Sequence, residues 1–164
     1  MAHDAPRTLS EAAQRVQDAL AAGGFANTVI ELDVPVKTAA AAAEAVGCTA
    51  AQIVKSLVFM RATSGTPVLV VASGGNRVSE SRLAVLLGEA VTMGAPKFVR
   101  EVTGFAIGGI PPVGHAQPIE TIVEANLMSL GGLWAAAGHP NSLFELSADE
   151  LVRMTRGRVA EVAE

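Results

Sequence analysis

The chain has one cysteine, Cys48, and no tyrosine, and aromatic residues make up 4% of it. A single thiol cannot form an internal disulfide, so folding here does not depend on cross-links. Scarce aromatics leave the core to Val, Leu, Ile, Ala and a few Phe. No apolar run approaches the roughly 18 residues of a membrane-spanning helix. The opening, Met1-Ala2-His3-Asp4-Ala5-Pro6-Arg7, lacks the basic and apolar regions of a secretory leader, so a cytoplasmic, membrane-free location is expected. The net charge of −4 argues against a general nucleic-acid binder held by phosphate contacts. A local basic patch remains open, with Arg77, Arg82, Lys97, Arg100, Arg153, Arg156 and Arg158 as its candidates.

What is present is enough for one domain: 164 residues, half of them hydrophobic. The expected fold is α/β (α+β), a single domain over 1–164 built around a mixed sheet. Thr8-Leu9-Ser10-Glu11 reads as a capping box with Thr8 as N-cap, opening a helix to Ala22 with apolar Ala13, Val16, Ala19 and Leu20. Gly23-Gly24 end it. Thr28–Leu32 reads as a strand. Thr38 caps an alanine-rich helix stopped by Gly47. Thr49–Gln52 reads as a helical turn leading into a strand over Ile53–Met60. Thr63-Ser64-Gly65-Thr66 predicts a hairpin to a second strand over Pro67–Ala72.

Ser79 caps a helix over Glu80–Leu87 that buries Leu83, Leu86 and Leu87. A further helix runs from Ala95 to Val102 with Pro96 in its first turn. Pro118–Val123, Leu133–Ala137 and Ser142–Leu146 read as strands, and Leu127–Leu130 as a helical turn. Ser147 and Glu150 form a capping box for a last helix, and Arg158–Val162 reads as an edge strand.

Two stretches hold the candidate chemistry. In Ile53-Val54-Lys55-Ser56-Leu57-Val58-Phe59 one cation sits in an apolar strand. Two readings stand for Lys55: a strand-end lysine reaching solvent, or a charge that holds phosphate or stabilises developing negative charge. The second stretch, Gly104 to His115, includes Gly108-Gly109-Ile110-Pro111-Pro112-Val113-Gly114. It matches neither the P-loop nor the dinucleotide fingerprint. Its glycines permit close backbone approach and its prolines stiffen it. A cradle for a carbonyl or oxyanion and a plain tight turn both fit that pattern.

His3, His115, His139 and Cys48 show no metal-ligand spacing, so no metal is expected. Cys48 reads as a small buried residue and Trp134 as core. No G-x-S-x-G elbow is present, which excludes the usual serine-hydrolase arrangement.

Val54–Phe59, Val68–Val71, Gly104-Phe105, Gly108–Gly114 and Ala137-Gly138-His139, in this order, resemble the YbaK family over roughly residues 25 to 160. These are aminoacyl-tRNA deacylases related to the editing domain of prolyl-tRNA synthetase. The resemblance implies a mixed, barrel-like sheet flanked by helices, and hydrolysis in trans of the ester on a mischarged tRNA. The family points to tRNA(Pro) bearing a small residue such as Ala or Cys, with prolyl-tRNA synthetase as a candidate partner and no cofactor.

The same resemblance implies that Lys55 is essential beside the terminal adenosine. It implies that backbone N–H groups of the Gly108–Pro112 loop, with Gly108 and Gly109 central, hold the aminoacyl carbonyl. His139 is linked to side-chain selection, and Ser56, Ile110, Pro112, Gly114 and His115 are the remaining substrate-binding candidates. Pro111 is an extra proline in this loop and removes one N–H donor. A non-catalytic module that binds a tRNA end or a nucleotide is the alternative function.

Overall fold

The computed structural model describes residues 8–164. His3 and the rest of the opening heptapeptide lie outside the described residues.

Helix α1 spans Glu11–Ala22 and buries Ala13, Val16 and Leu20. Its N-cap is Ser10, not Thr8, and the Ser10 hydroxyl accepts from the Ala13 N–H. The difference is tertiary in origin. Glu31 of strand β1 (Val29–Glu31) accepts the Ser10 N–H at 2.6 Å, taking the part that Glu11 would play in a local capping box. Helix α2 (Ala39–Val46) is capped by Thr38 and ended by Gly47. A short helical turn, Ala50–Gln52, leads into β2 (Ile53–Arg61).

Strand β3 (Pro67–Ser73) forms the expected antiparallel hairpin with β2. Helix α3 (Glu80–Leu87) lies between Ser79 and Gly88. It buries Leu83 fully, whereas Leu86 and Leu87 are only half-buried at its margin. The three-residue strand β4 (Val91–Met93) is an addition to the sequence expectation. Helix α4 (Pro96–Thr103) begins at Pro96 and ends at Gly104. Then follow β5 (Glu120–Glu124), a helical turn at Ala125–Ser129, β6 (Leu133–Ala136), β7 (Ser142–Leu146), α5 (Ala148–Thr155) and β8 (Arg158–Ala160). The capping box of Ser147 and Glu150 is present at α5.

The sheet is mixed and the helices flank it. Its order is β1-β7-β6-β2-β3-β5-β8, with β4 also paired to β2. The β1–β7, β7–β6, β2–β3 and β2–β4 pairs are antiparallel. The β6–β2, β3–β5 and β5–β8 pairs are parallel. Strands β3 and β5 are buried on both faces, which accounts for the unbroken Val68-Leu69-Val70-Val71-Ala72 run.

One face carries the larger apolar cluster, in which Val54 and Val58 of β2 meet α1, α4, Phe105 and Ile110. The other carries Phe59, Val68, Val70 and Ala72 against Leu83 of α3. Trp134 is half-buried in a third cluster with Ala42, Ala43, Ile53 and Leu143, and Cys48 packs beside it. No helix among the described residues is long and apolar enough to cross a membrane.

Candidate active site at a break in the sheet

Strand β2 is paired with β3 along its length on one side. On its other side the pairing is interrupted. Parallel β6 covers only Ile53 and Val54, and antiparallel β4 covers Phe59 to Arg61. The Gly94 N–H extends the β4 ladder to the Val58 carbonyl at 2.8 Å. Lys55, Ser56 and Leu57 have no strand partner on this side. Peptide groups two residues apart along a strand point to the same edge, so the Ser56 N–H and C=O face the break as the Val58 carbonyl does.

A cavity of about 320 Å³ opens at this break. Its wall is β2 from Val54 to Val58, its flanks are Met93-Gly94 and Ala136, and its lid is the loop Ile107 to Ile110. Lys37 and Val99 complete it. Among the described residues the lining includes no carboxylate and no histidine.

Side chains alternate along β2. Ser56 therefore points to the same face as Val54 and Val58, beneath the loop. Its hydroxyl oxygen is buried and has no hydrogen-bond partner among the described residues. Lys55 points to the opposite face, and its ammonium donates to the Asn76 carbonyl oxygen in the turn after β3. The cation is thus half-buried and hydrogen-bonded, rather than free in solvent.

The glycine-proline loop is anchored at several points. The Ala116 N–H closes its base onto the Thr103 carbonyl at 2.9 Å. The Arg15 guanidinium donates to the Gly104 carbonyl at 3.1 Å and lies 4.3 Å from the centroid of the Phe105 ring. The Gly138 N–H donates to the Gly109 carbonyl at 2.7 Å. Within the loop, the His115 Nε2 lies 2.8 Å from the Pro111 carbonyl oxygen. Gly108 has φ +108°, a conformation that side chains with a Cβ rarely adopt. The N–H groups of Gly108, Gly109 and Ile110 are left without a protein acceptor among the described residues. Pro111 and Pro112 contribute none.

The structure thus brings Lys55, Ser56, Gly108, Gly109 and Ile110 to one cavity. It places Pro112, Gly114 and His115 elsewhere, along a larger groove of about 650 Å³ shared with Met154, Arg156 and Arg158. The His115 imidazole is pulled below its ordinary pKa by burial, against the opposing effect of its bond to Pro111. His139 touches the site through its backbone, against which Gly109 packs. Its exposed ring is hydrogen-bonded to Asn141.

Of the candidate basic residues, Arg77 pairs with Glu164 and Arg153 with Asp149, while Arg156 and Arg158 share the larger groove. Lys37, Met93, Gly94, Val99 and Ile107 are cavity residues that motif reasoning passed over. Only the sequence Gly94-Ala95-Pro96, a turn signal ahead of a helix, hinted that the chain bends there.

Loop amides free of a protein acceptor, together with Ser56 and Lys55 on a cavity whose described lining has no carboxylate, are the kind of arrangement that suits a polarised carbonyl next to negative charge. The comparisons agree with that class. Residues 33–154 match the model of the aminoacyl-tRNA editing domain, and the chain belongs to this family. It is 32% identical over 133 residues to the uncharacterized protein YwhH of Bacillus subtilis (strain 168), covering 81% of this chain and 84% of that one. It is 27% identical over 126 residues to EbsC of Enterococcus faecalis, described as a candidate Cys-tRNA(Pro)/Cys-tRNA(Cys) deacylase, with 76% of each chain covered. A crystal structure described as a candidate trans-editing enzyme for prolyl-tRNA synthetase superposes with a TM-score of 0.92 at 42% identity, covering 96% of this chain and 99% of that one.

Proposed function

We propose that this protein is a trans-editing aminoacyl-tRNA deacylase acting on tRNA(Pro) mischarged with a small amino acid such as alanine or cysteine. The observation that carries the reading is the break in β2, where Lys55, Ser56 and the Gly108–Ile110 loop line one cavity.

In this reading the loop amides receive the ester carbonyl. Lys55 neutralises the negative charge near the terminal adenosine. A water oxygen attacks the carbonyl carbon, and the resulting oxyanion is held by the amides. Collapse breaks the bond to the ribose oxygen, which takes up a proton, leaving free amino acid and tRNA. Among the described residues no carboxylate or imidazole lines the cavity, so in this reading the proton from water passes to the substrate itself, through the neighbouring ribose hydroxyl or the substrate side chain. The Ser56 hydroxyl and the open β2 edge are the groups suited to the aminoacyl portion, and His139 acts from the rim of the loop. Pro112, Gly114 and His115 support the loop from behind. On this reading residues 1–164 work as one editing domain in the cytoplasm, with mischarged tRNA as substrate and prolyl-tRNA synthetase as a partner.

The test is deacylation of Ala-, Cys-, Ser- and Thr-charged tRNAs by the native protein and by Lys55→Ala. The expected result is rapid loss of one ester, abolished in the variant. A terminal adenosine lacking its 2′-hydroxyl should slow the reaction. An unchanged rate with that substrate, together with equal turnover of alanyl and cysteinyl esters, would end the substrate-assisted mechanism. Binding without turnover of any ester would favour a recognition module.

A further inference from the structure

Lys55 is held by a carbonyl, and that carbonyl belongs to a turn with its own buried support. Asn76, whose carbonyl accepts from the Lys55 ammonium, ends the Ser73–Asn76 turn, which the Asn76 N–H closes onto the Ser73 carbonyl at 3.0 Å. The turn is pressed against the chain entering β2. The Gly74 N–H donates to the Ile53 carbonyl at 2.6 Å, and the Ser73 hydroxyl to the Ala51 carbonyl at 2.6 Å.

Beneath the turn lies Glu124, the last residue of β5, at 1% exposure. It is there because β3 and β5 are parallel neighbours, which brings their C-terminal ends together. One carboxylate oxygen accepts the Ser73 N–H at 2.9 Å, the other the Asn76 side-chain amide at 2.6 Å. A carboxylate this buried is costly unless its oxygens are satisfied. Two amide donors satisfy it, and both come from the turn that holds Lys55.

We propose that Glu124 is a positioning residue for Lys55: it fixes the Ser73–Asn76 turn so that the Asn76 carbonyl holds the Lys55 ammonium. The inference rests on the reading of Lys55 as the functional cation. Its physical content is a charge-assisted bond. In Glu124→Gln the bond becomes neutral, and it forms only if the Asn76 amide turns over to present its oxygen to the new amide N–H. In the double variant Glu124→Gln/Asn76→Asp a charge-assisted bond is restored with donor and acceptor exchanged.

Two measurements test this. The first is the rate at which acetic anhydride modifies Lys55, read by peptide mass spectrometry, with Lys37 as an internal control. It needs no enzymatic activity, so it stands even if no ester is hydrolysed and the proposed function fails. The second is kcat and KM for the edited aminoacyl-tRNA. Glu124→Gln should raise Lys55 modification without changing Lys37. It should lower kcat by about 10- to 100-fold, as for an ångström-scale misplacement, with KM little changed. The double variant should reverse both effects.

Should Glu124→Gln fail to fold, Asn76→Ala keeps the Ser73–Glu124 bond and must still release Lys55. The proposal is overturned if Lys55 modification is native-like in these variants. Lys55 and Lys37 rising together, as in general loosening, or failure of the double variant to reverse the change would overturn it equally.

Discussion

Gly109 packs against the backbone of His139 so closely that a Cβ at position 109 would lie 2.7 Å from the His139 nitrogen and 2.9 Å from its Cα. Neither atom is a flexible side-chain end that swings aside. Gly109→Ala must therefore push the loop from the β6–β7 connection and strain the bond from Gly138 to the Gly109 carbonyl. The expected cost is about 1–3 kcal/mol of stability, as for overpacking, with a larger proportional loss of deacylation because the loop amides move. Thermal unfolding together with initial rates on the preferred ester would check it. Native-like melting and native-like rate would show that the loop is softer than its packing indicates.

Ser56→Ala behaves in the opposite way. The hydroxyl oxygen is buried without a partner, so removing it deletes an uncompensated polar group. Stability is expected to stay level or rise by up to about 1 kcal/mol. The ratio of seryl- or cysteinyl- to alanyl-ester turnover is expected to shift, since Ser56 lines the cavity. Chemical denaturation and the ester panel measure the two effects separately. A clear destabilisation would reveal a partner for the hydroxyl.

The half-buried His115 makes stability depend on pH with a definite sign. Burial lowers its pKa in the folded state, and the Pro111 bond opposes this only in part. Below the ordinary histidine value of about 6.5 the unfolded chain takes up a proton that the folded protein resists. The contribution is complete above that value and is lost as pH falls from there toward the lowered folded pKa. Denaturation midpoints of native protein and His115→Asn, compared at pH about 7.5 and about 5.5, should show the native protein losing more on acidification. Parallel losses would mean that other groups account for the slope.

Cys48 is expected to be chemically quiet. Burial raises its thiol pKa, and the negative charge of Glu145 raises it further, so little thiolate is present at neutral pH. Alkylation by iodoacetamide should be slower than for a peptide thiol. Cys48→Ser should keep full deacylation, because Cys48 is not part of the cavity lining. Fast alkylation accompanied by loss of activity would require a role for the thiol.

Much of the local structure was legible in the chain because its signals act within a few residues. Thr38, Ser79 and Ser147 each cap the helix that follows, and Gly47, Gly88 and Gly104 each end one. The hairpin between β2 and β3 follows from the turn at Thr63–Thr66 between two apolar runs. The first helix start was misplaced because its deciding partner, Glu31, comes from another element. Strand β4 was not seen because three residues carry no measurable alternation, yet it forms one border of the break in β2.

The sequence by itself determined most of the segments that form helices and strands, the candidate site residues, and the family to which the chain belongs. These depend on side-chain type, spacing and local capping, which travel with the chain. Tertiary structure alone decided that Lys55 and the Gly108–Ile110 loop share a cavity while Gly114 and His115 do not. It also decided that Ser56 lines the cavity while its hydroxyl is buried with no partner among the described residues, and that Glu124 stands behind the turn holding Lys55. The reason is that parallel pairings such as β6–β2 and β3–β5 join residues far apart in the chain, and no local turn specifies them.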